Sequence, residues 1–460
     1  MQAADSQELV AACPGLDWTT DPERVLQLST DYSWFSPILK RRLLGKRADL
    51  AVRPRDADEL KQVVAACADR RVPLTLRGAG TGNYGQITPL QGGVLVEMGA
   101  LNQVLWQRGG VVRAQAGIRL GDLERQLRAD GFELRCMPST YRLATLGGLI
   151  GGGFGGIGSI NHGPIAAPGN VLGAQGLSLE PAPQTVELRG ADALALHHNW
   201  GTTGILVEIE LALAPARSWL DLVVAFDDFD AALDFGQALA AAPGIVKRNI
   251  ALLAWPVPGL IARWEAAFAP GRHAVLVVAE ESSEQALREL AAGFGGAISH
   301  REASEPAQRR HKSVLELCWN HTTLHALKSD PGLTYLQLRY APGEVLRQVR
   351  ALHGRFGDEV LTHLEFIRSL DGHLICTALP LIRYRDEARL QQIIDEILAL
   401  GIGVNNPHVS HVEDGRFGGV LPPSAIAAKW RFDPLGLLNP GKLRSWPPAE
   451  ARGTVAEPAA

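Results

Sequence analysis

The sequence predicts an α+β protein whose first half carries two glycine-rich loops and whose second half alternates strands with helices. Eight glycines occur among the twelve residues 147–158, interspersed with Leu149, Ile150, Phe154 and Ile157. A flexible linker would have polar residues between its glycines. We therefore expect this tract to pack in a core, with its main chain against a flat or extended ligand. A tightly packed structural turn is the alternative interpretation.

A shorter glycine cluster earlier in the chain, Gly78-x-Gly80-x-Gly82, follows a predicted strand at residues 72–76. A dinucleotide fingerprint of the Rossmann type would open a helix at this point. Here a proline, two further glycines and another predicted strand, residues 94–96, follow instead. No Lys-Ser or Lys-Thr pair follows the glycines, which argues against a P-loop. We expect successive loop amides to form an anion nest, assisted by Arg77 and the Thr81 hydroxyl.

Local patterns place the other elements of the first half in order. Asp56 and Glu59 have capping-box spacing ahead of a helical apolar repeat, which predicts a strand–helix–strand unit over residues 48–76. Residues 111–115 form the next predicted strand, and a helix follows it. Pro215 marks the predicted edge of this part of the chain.

The second half has the spacing of an α/β sandwich built from two similar halves. The predicted strands are 219–226, 274–278, 334–340 and 373–378, and the predicted helices include 345–353 and 386–400.

Composition and charge exclude several functional classes. The formal net charge is −4, and no basic block is long enough to predict a nucleic-acid partner. No run approaches twenty apolar residues, and the N-terminus lacks the layout of a signal peptide, so we expect a cytoplasmic protein, with peripheral membrane association left open. The five cysteines show no Cys-x-x-Cys spacing, which predicts neither disulfides nor an iron–sulfur site.

Four motifs in order, and a fifth near the C-terminus, resemble a known family. They are residues 52–60, Arg77 to Gly82, Pro138-Ser139 with Ala144 to Gly148, Gly201 to Val207, and Phe432 to Lys442. Over about residues 48–216 the chain resembles the FAD-binding domain of the vanillyl-alcohol oxidase/p-cresol methylhydroxylase (PCMH-type) family. The branch that matches best includes D-lactate dehydrogenases and the glycolate oxidase flavin subunit.

The resemblance implies a PCMH-type FAD-binding domain of two α+β subdomains, followed by an α/β-sandwich cap domain. The expected boundaries are an N-terminal lead without clear chemistry at 1–46, the FAD-binding domain at 47–216, the cap at 217–430, a segment returning to the flavin at 431–445, and a disordered tail at 446–460.

The resemblance also implies which residues bind FAD. They are Arg77, Gly78, Ala79, Gly80, Thr81, Gly82, Asn83, Pro138, Ser139, Thr145, Gly147, Gly148, Gly151, Gly152, Gly153, Gly155, Gly204, Ile205, Asn439 and Lys442. We expect the last two to act on the flavin ring system, or else the leucines around Leu437 to lock the cap to the first domain. Family members that tether FAD do so through a histidine or cysteine, where this chain has Asn83 and Tyr84, and Tyr141 and Arg142. Non-covalent binding is therefore expected.

The distribution of histidines places the chemistry in the second half. No histidine precedes His162, and flavin oxidation of a carbon bearing a hydroxyl needs a base for the hydroxyl proton. His321 is the first candidate, one helical turn before His325. His363, which would share a strand face with Glu365, is the second. Structural roles for these histidines are the alternative.

A carboxylate substrate would need a cationic clamp, for which Arg339 is the candidate, with Arg368 and Arg383 as alternatives. His408, His411 and Glu413 are candidate ligands of a divalent metal. The His-Glu-His-Gly signature of metal-holding members is absent, so a metal is possible but not favoured.

The preferred hypothesis is an FAD-dependent oxidoreductase that oxidises a small polar substrate, with a 2-hydroxy acid preferred, by hydride transfer to flavin N5. The alternative is a non-catalytic FAD-binding subunit of a larger redox complex. The electron acceptor is left open among oxygen, a quinone and a partner protein, and any iron–sulfur carrier would be another chain.

Overall fold

The computed structural model describes residues 3–153, 155–416 and 418–446. The α-helices are α1 Ala3–Ala12, α2 Pro22–Leu28, α3 Pro37–Arg42, α4 Ala57–Asp69, α5 Leu120–Ala129, α6 Leu146–Gly152, α7 Ser159–His162, α8 Phe229–Ala241, α9 Glu284–Gly293, α10 Ser304–Arg309, α11 Asn320–Ser329, α12 Val345–Phe356, α13 Glu387–Ala399 and α14 Pro423–Phe432.

The strands are β1 Asp17–Thr19, β2 Leu50–Arg53, β3 Leu74–Arg77, β4 Val94–Glu97, β5 Val104–Arg108, β6 Val111–Gln115, β7 Phe132–Leu134, β8 Val171–Leu177, β9 Thr185–Arg189, β10 Ile205–Pro215, β11 Trp219–Phe226, β12 Lys247–Leu253, β13 His273–Glu280, β14 Ala297–Ala303, β15 Leu333–Tyr335, β16 Gln337–Arg339, β17 Val360–Leu361, β18 His363–Arg368, β19 Leu374–Ala378, β20 Leu381–Arg383 and β21 Gly403–Asn405.

Two sheets form the first half and two the second. The order of the first sheet is β1-β2-β4-β3, with β2, β4 and β3 parallel; that of the next is β5-β6-β10-β8-β9, with β7 also pairing with β10. The large cap sheet is antiparallel, with the order β14-β11-β13-β12-β18-β19-β16-β21, and the small sheet has the order β15-β20-β17. The α+β fold class predicted from the sequence is confirmed.

The capping and periodicity arguments account for the helices that carry them. Asp56 caps α4 by accepting hydrogen bonds from the N–H groups of Asp58 and Glu59. Helix α13 buries Leu390, Ile393, Ile394 and Ile397 on one face, as its helical repeat predicts.

The structure departs from the expected elements at two places. The predicted strand 334–340 is two strands, because β15 pairs with β20 in the small sheet and β16 pairs with β19 and β21 in the large one. The glycine tract at residues 147–158 overlaps helix α6 and ends directly before α7, although glycine disfavours helix interiors. The tail predicted at 446–460 lies outside the described residues beyond Trp446.

Candidate FAD site and adjoining cavity

A cavity of about 250 Å³ lies between the two glycine-rich segments and residues of the second half. The first half contributes residues 78–83, 138–140 and most of 144–155, and the second half contributes Trp319, Asn320, Gln337, Leu379 and Asn405. All of the predicted cofactor residues line this cavity except Arg77, Ile205, Asn439 and Lys442. The two glycine clusters, separate in sequence, therefore form one surface.

The first glycine loop takes its shape from Arg77. The Arg77 guanidinium donates to the carbonyl oxygens of Leu28, Thr30 and Ala79. Gly80 has a φ of +67°, and a Cβ at this position would overlap the same guanidinium. Arg77 therefore supports the loop from behind, which corrects the expectation that its side chain assists in binding phosphate from within the site.

The second glycine segment begins as helix α6, and Thr145 is its N-cap. The Thr145 Oγ1 atom accepts a hydrogen bond from the Gly148 N–H at 3.2 Å. A Cβ on Gly147 would lie 2.8 Å from the Ala116 Cβ, so a side chain does not fit there. Gly148 has no positive φ, and its Cβ would meet only the Thr145 side chain, so it is less constrained than Gly80.

The residues around this cavity fit a flavin dinucleotide. Gly151 and Gly152 line the cavity, and no atom lies within 4 Å of a Cβ built on either, so the space beside them is open. Trp200 also lines the cavity, and its Nε1 atom is buried without a hydrogen-bond partner in the described structure. Loop amides suit a pyrophosphate, and the apolar stretches suit flat rings.

Asn439 and Lys442 lie behind the first loop. The segment that contains them runs beside β3, where Asn439 N–H donates to the Leu74 oxygen at 2.8 Å. Lys442 Nζ donates to the Gly85 oxygen at 2.7 Å, and Asn439 Nδ2 donates to the oxygens of Gln86 and Trp200 at 2.7 and 2.9 Å. Burial lowers the pKa of Lys442 to about 8. Both residues therefore donate hydrogen bonds to loop carbonyls and do not line the cavity. Ile205, another predicted cofactor residue, is buried in the core.

Trp319 forms part of the opposite wall, and its backbone is strained. Its φ of +56° and ψ of −140° lie close to a region that is populated almost only by glycine, at a cost of about 1–3 kcal/mol. The Trp319 N–H donates to Glu365 Oε1 at 2.6 Å, and its indole Nε1 donates to Asn249 Oδ1 at 3.3 Å.

A second cavity of about 150 Å³ adjoins the first and shares Thr81, Asn83, Ser139, Thr140 and Asn320 with it. Its other lining residues are Tyr32, Phe35, Arg142, Leu143, Glu316, His321 and Leu324. This cavity therefore combines the first glycine loop, the start of α11 and part of the N-terminal lead.

Two buried polar atoms at the second cavity have no hydrogen-bond partner among the described residues: Asn320 Oδ1 and His321 Nδ1. Burial, reinforced by the neighbouring His325, lowers the pKa of His321 to about 4. His321 is therefore neutral at pH 7 and has the free lone pair or N–H that a base or hydrogen-bonding group needs. His325, by contrast, has its Nε2 atom 3.1 Å from the Glu316 oxygen.

The other predicted catalytic residues do not line either cavity. His363 is fully buried, with its Nε2 atom 3.0 Å from Glu365 Oε1, so its geometry favours a structural role. Arg339 is exposed and lies away from both cavities. Arg368 donates to the oxygens of Ile160 and Gly372, and Arg383 pairs with Asp330. None of the three arginines is placed to clamp a substrate there.

The structure does not bring the predicted metal ligands together. His408 has its Nδ1 2.7 Å from Ser36 Oγ and its Nε2 3.0 Å from the Tyr335 oxygen. Glu413 accepts from Ser445 at 2.7 Å, and His411 lies beside Asp414. Within residues 3–153, 155–416 and 418–446, no group of three or more His, Cys, Asp or Glu could hold a metal ion.

Sequence reasoning missed the contribution of the N-terminal lead and of Arg142. The Tyr32 N–H donates to the Gly82 oxygen at 2.7 Å, and Tyr32 and Phe35 line the second cavity. Three aromatic residues among positions 32–35 were the sequence feature that could have indicated this contribution. Arg142 pairs with Glu316, which is 174 residues away, and no local sequence pattern predicts that ion pair.

Comparison with known proteins agrees with this geometry. A family model described as an FAD binding domain matches residues 48–176, which include both glycine segments. Residues 48–176 are therefore an FAD binding domain, and the chain is similar to PCMH-type FAD-binding oxidoreductases. FAD is accordingly its cofactor, and its reaction class is FAD-dependent oxidation–reduction.

The relatives described here match between 41% and 86% of the chain. The glycolate oxidase subunit GlcD of Bacillus subtilis (strain 168) is 25% identical over 427 residues, which is 86% of this chain and 88% of the relative. The D-lactate dehydrogenase of Anaerostipes hadrus is 27% identical over 197 residues, 41% of either chain. The solved structure of an alkyldihydroxyacetonephosphate synthase superimposes with a TM-score of 0.72 at 15% identity, over 96% of this chain and 85% of the other, and shares the fold. Among the described helices, none has the length and apolar content needed to cross a bilayer.

Proposed function

We propose that this PCMH-type oxidoreductase oxidises a small 2-hydroxy acid bound in the second cavity. The relatives named as a glycolate oxidase subunit and a D-lactate dehydrogenase support this substrate class. The observation that carries the proposal is the pair of unpartnered buried atoms, Asn320 Oδ1 and His321 Nδ1, at a cavity that borders the FAD site.

His321 is the proposed base. Its lowered pKa, about 4, keeps the imidazole neutral at pH 7, so its Nδ1 atom can accept the proton of a substrate hydroxyl. Bound FAD supplies the acceptor for the hydride. Asn320 lies beside both cavities, and its free amide oxygen can accept a hydrogen bond that orients the same hydroxyl.

Arg142 replaces Arg339 as the proposed carboxylate clamp. Its Nε and Nη2 atoms bond Glu316 Oε1, at 2.7 and 2.6 Å, while Nη1 makes no hydrogen bond in the described part of the chain. A substrate carboxylate can bind at Nη1 without breaking that ion pair. Because Glu316 neutralises Arg142, the cavity suits one small carboxylate rather than a strongly anionic substrate.

The first experiment identifies the substrate. A panel of 2-hydroxy acids, polyols and amines is added anaerobically, and the visible flavin absorbance is followed. We expect bleaching by one or more 2-hydroxy acids. Bleaching only by polyols or amines would overturn the substrate class, and bleaching by none would favour the non-catalytic subunit.

The second experiment tests the base. His321→Ala should slow flavin reduction by the substrate about a hundred-fold, the scale of a positioned general base, with FAD content unchanged. His325→Ala, one helical turn away and off the cavity, is the matched control and should leave the rate within about threefold, because it removes no base. An unaltered rate in His321→Ala would exclude His321 as the base.

The pH dependence follows from the same group. Because the pKa of His321 is lowered to about 4, its base form persists from alkaline pH to well below neutrality. The reduction rate should therefore stay level from pH 8 to about pH 5 and fall only as the pH approaches 4. A midpoint near the ordinary histidine value would contradict this assignment.

A further inference from the structure

The strained backbone of Trp319 stands directly before the residues that enter the second cavity. Its φ of +56° belongs to the left-handed region that favours glycine, yet it carries an indole. Asn320 and His321 are the first two residues of α11. The direction in which these two side chains leave the helix is therefore set by the conformation at Trp319.

Buried hydrogen bonds hold Trp319 in this conformation. Glu365 Oε1 accepts from the Trp319 N–H at 2.6 Å, and the indole Nε1 donates to Asn249 Oδ1 at 3.3 Å. Asn249 Nδ2 in turn donates to Glu365 Oε2 at 3.5 Å. These three side chains are at most 5% exposed, so water cannot replace the lost partners if one is removed.

His363 completes the support for Glu365. Its Nε2 atom lies 3.0 Å from Glu365 Oε1 and 3.4 Å from Thr322 Oγ1, in the first turn of α11. Burial raises the pKa of Glu365, and the contact with His363 opposes that rise. The pair joins the helix start to a rigid part of the sheet.

The sheet gives this support its rigidity. His363 and Glu365 alternate on β18, which pairs with β12, the strand that carries Asn249. Leu253 lies opposite His363, and Ala251 lies opposite Glu365. The donors and acceptors that meet at Trp319 thus come from two adjacent central strands.

The Trp319 indole also meets the glycine tract. A Cβ built on Gly155 would lie 3.4 Å from the indole Cη2 atom, so the ring occupies the space beside that glycine. Trp319 therefore separates the FAD cavity from the buried polar cluster behind it.

We propose that Glu365, oriented by His363 and Asn249, is a positioning residue that holds Trp319 in its strained conformation and so fixes where Asn320 and His321 meet the substrate. Strained residues persist where the surrounding structure over-determines them, and they concentrate at functional sites. The roles of Asn320 and His321 in this inference rest on the proposed function.

The main test replaces the carboxylate. Glu365→Leu should let residue 319 relax to a negative φ in a crystal structure of the resting protein and should slow flavin reduction about a hundred-fold through misplacement of His321. Glu365→Gln keeps an acceptor oxygen for the Trp319 N–H and should retain most of the rate. If the leucine variant does not fold, Glu365→Asp replaces it in this test, because the shorter side chain withdraws the carboxylate by one methylene.

A coupling experiment separates positioning from general destabilisation. Glycine adopts the conformation at residue 319 without strain, so adding Glu365→Leu to Trp319→Gly should cost less than about threefold in rate beyond Trp319→Gly alone. Fully additive losses would overturn the inference. Glu124→Leu is the matched control, because Glu124 is also buried and accepts a backbone N–H, that of Leu134, at 2.7 Å. It should lower thermal stability without changing residue 319.

The structural measurement needs no substrate, which keeps the two proposals separate. If no compound bleaches the flavin, the proposed function fails and the φ of residue 319 still decides this inference. If residue 319 keeps its positive φ in Glu365→Leu, or relaxes without any loss of rate, the positioning role fails while the substrate assignment stands.

Discussion

The two walls of the FAD cavity differ in the types of residue that line them. Eleven of the residues that the first half contributes are glycines, among them Gly147, which leaves no room for a side chain, and Gly80, which adopts a positive φ. Of the six lining residues from the second half, five carry side chains, among them Trp319, Asn320 and Gln337, and the sixth is Gly415. We therefore expect backbone geometry to dominate binding of the cofactor and side chains of the second half to dominate selection of the substrate.

A direct hydrogen bond joins the two walls. Tyr84 Oη donates to Gln337 Oε1 at 2.8 Å, and both side chains line the cavity. Substitution of glycines tests the wall from the first half, and substitution of buried polar residues tests the wall from the second half.

The largest expected effect comes from breaking the glycine wall. Gly80→Val places a branched side chain at a φ of +67° and against the Arg77 guanidinium. The purified variant should carry no FAD, as measured by flavin absorbance per chain after acid release. Gly99→Ala is the control, because no atom lies within 4 Å of its Cβ. Full FAD retention in Gly80→Val would remove the loop from the site.

A smaller effect is expected behind the same wall. Lys442→Met removes the donor to the Gly85 oxygen and leaves that carbonyl buried, which should lower the free energy of unfolding by about 1–3 kcal/mol and weaken FAD binding. The flavin reduction potential should stay nearly constant, because Lys442 does not line the cavity. Lys40→Met, at an exposed lysine, is the control for urea unfolding. A large shift in the flavin reduction potential would instead support the expectation that Lys442 acts directly on the flavin.

The last effect is confined to acid pH and concerns the stability of the second half. Burial lowers the pKa of His408 to about 4, so between its ordinary value near 6.5 and pH 4 the unfolded chain binds a proton that the folded chain does not. Stability should therefore fall with falling pH in this window, by about 1.4 kcal/mol per pH unit for this histidine, and should be unaffected by it above pH 6.5. His408→Gln should flatten the slope, whereas His373→Gln, at an exposed histidine, should not. Equal slopes in both variants would contradict the assignment.

Most of the glycine-segment residues predicted to bind the cofactor line the first cavity, whereas only one of the predicted catalytic residues lines the second. Sixteen of the twenty predicted cofactor residues line the cavity, because the conformations that glycine permits are encoded at the positions that adopt them. Among the predicted catalytic residues, His321 lines the second cavity, while His363 and Arg339 do not. A buried histidine that pairs with a carboxylate has the same sequence pattern as a catalytic one, so alternation along β18 could not distinguish them.

The sequence by itself determined the α+β class, the FAD binding domain and the two glycine segments, since each depends on residues that are neighbours in the chain. Tertiary structure alone decided that Lys442 lies under Gly85, 357 residues away, and that Arg142 meets Glu316 across 174 residues. It also decided that Glu365 holds Trp319 in a conformation that no local preference would choose. Such contacts arise only when sheets and loops pack, because packing fixes both the distance between remote side chains and the exclusion of water that gives their hydrogen bonds weight.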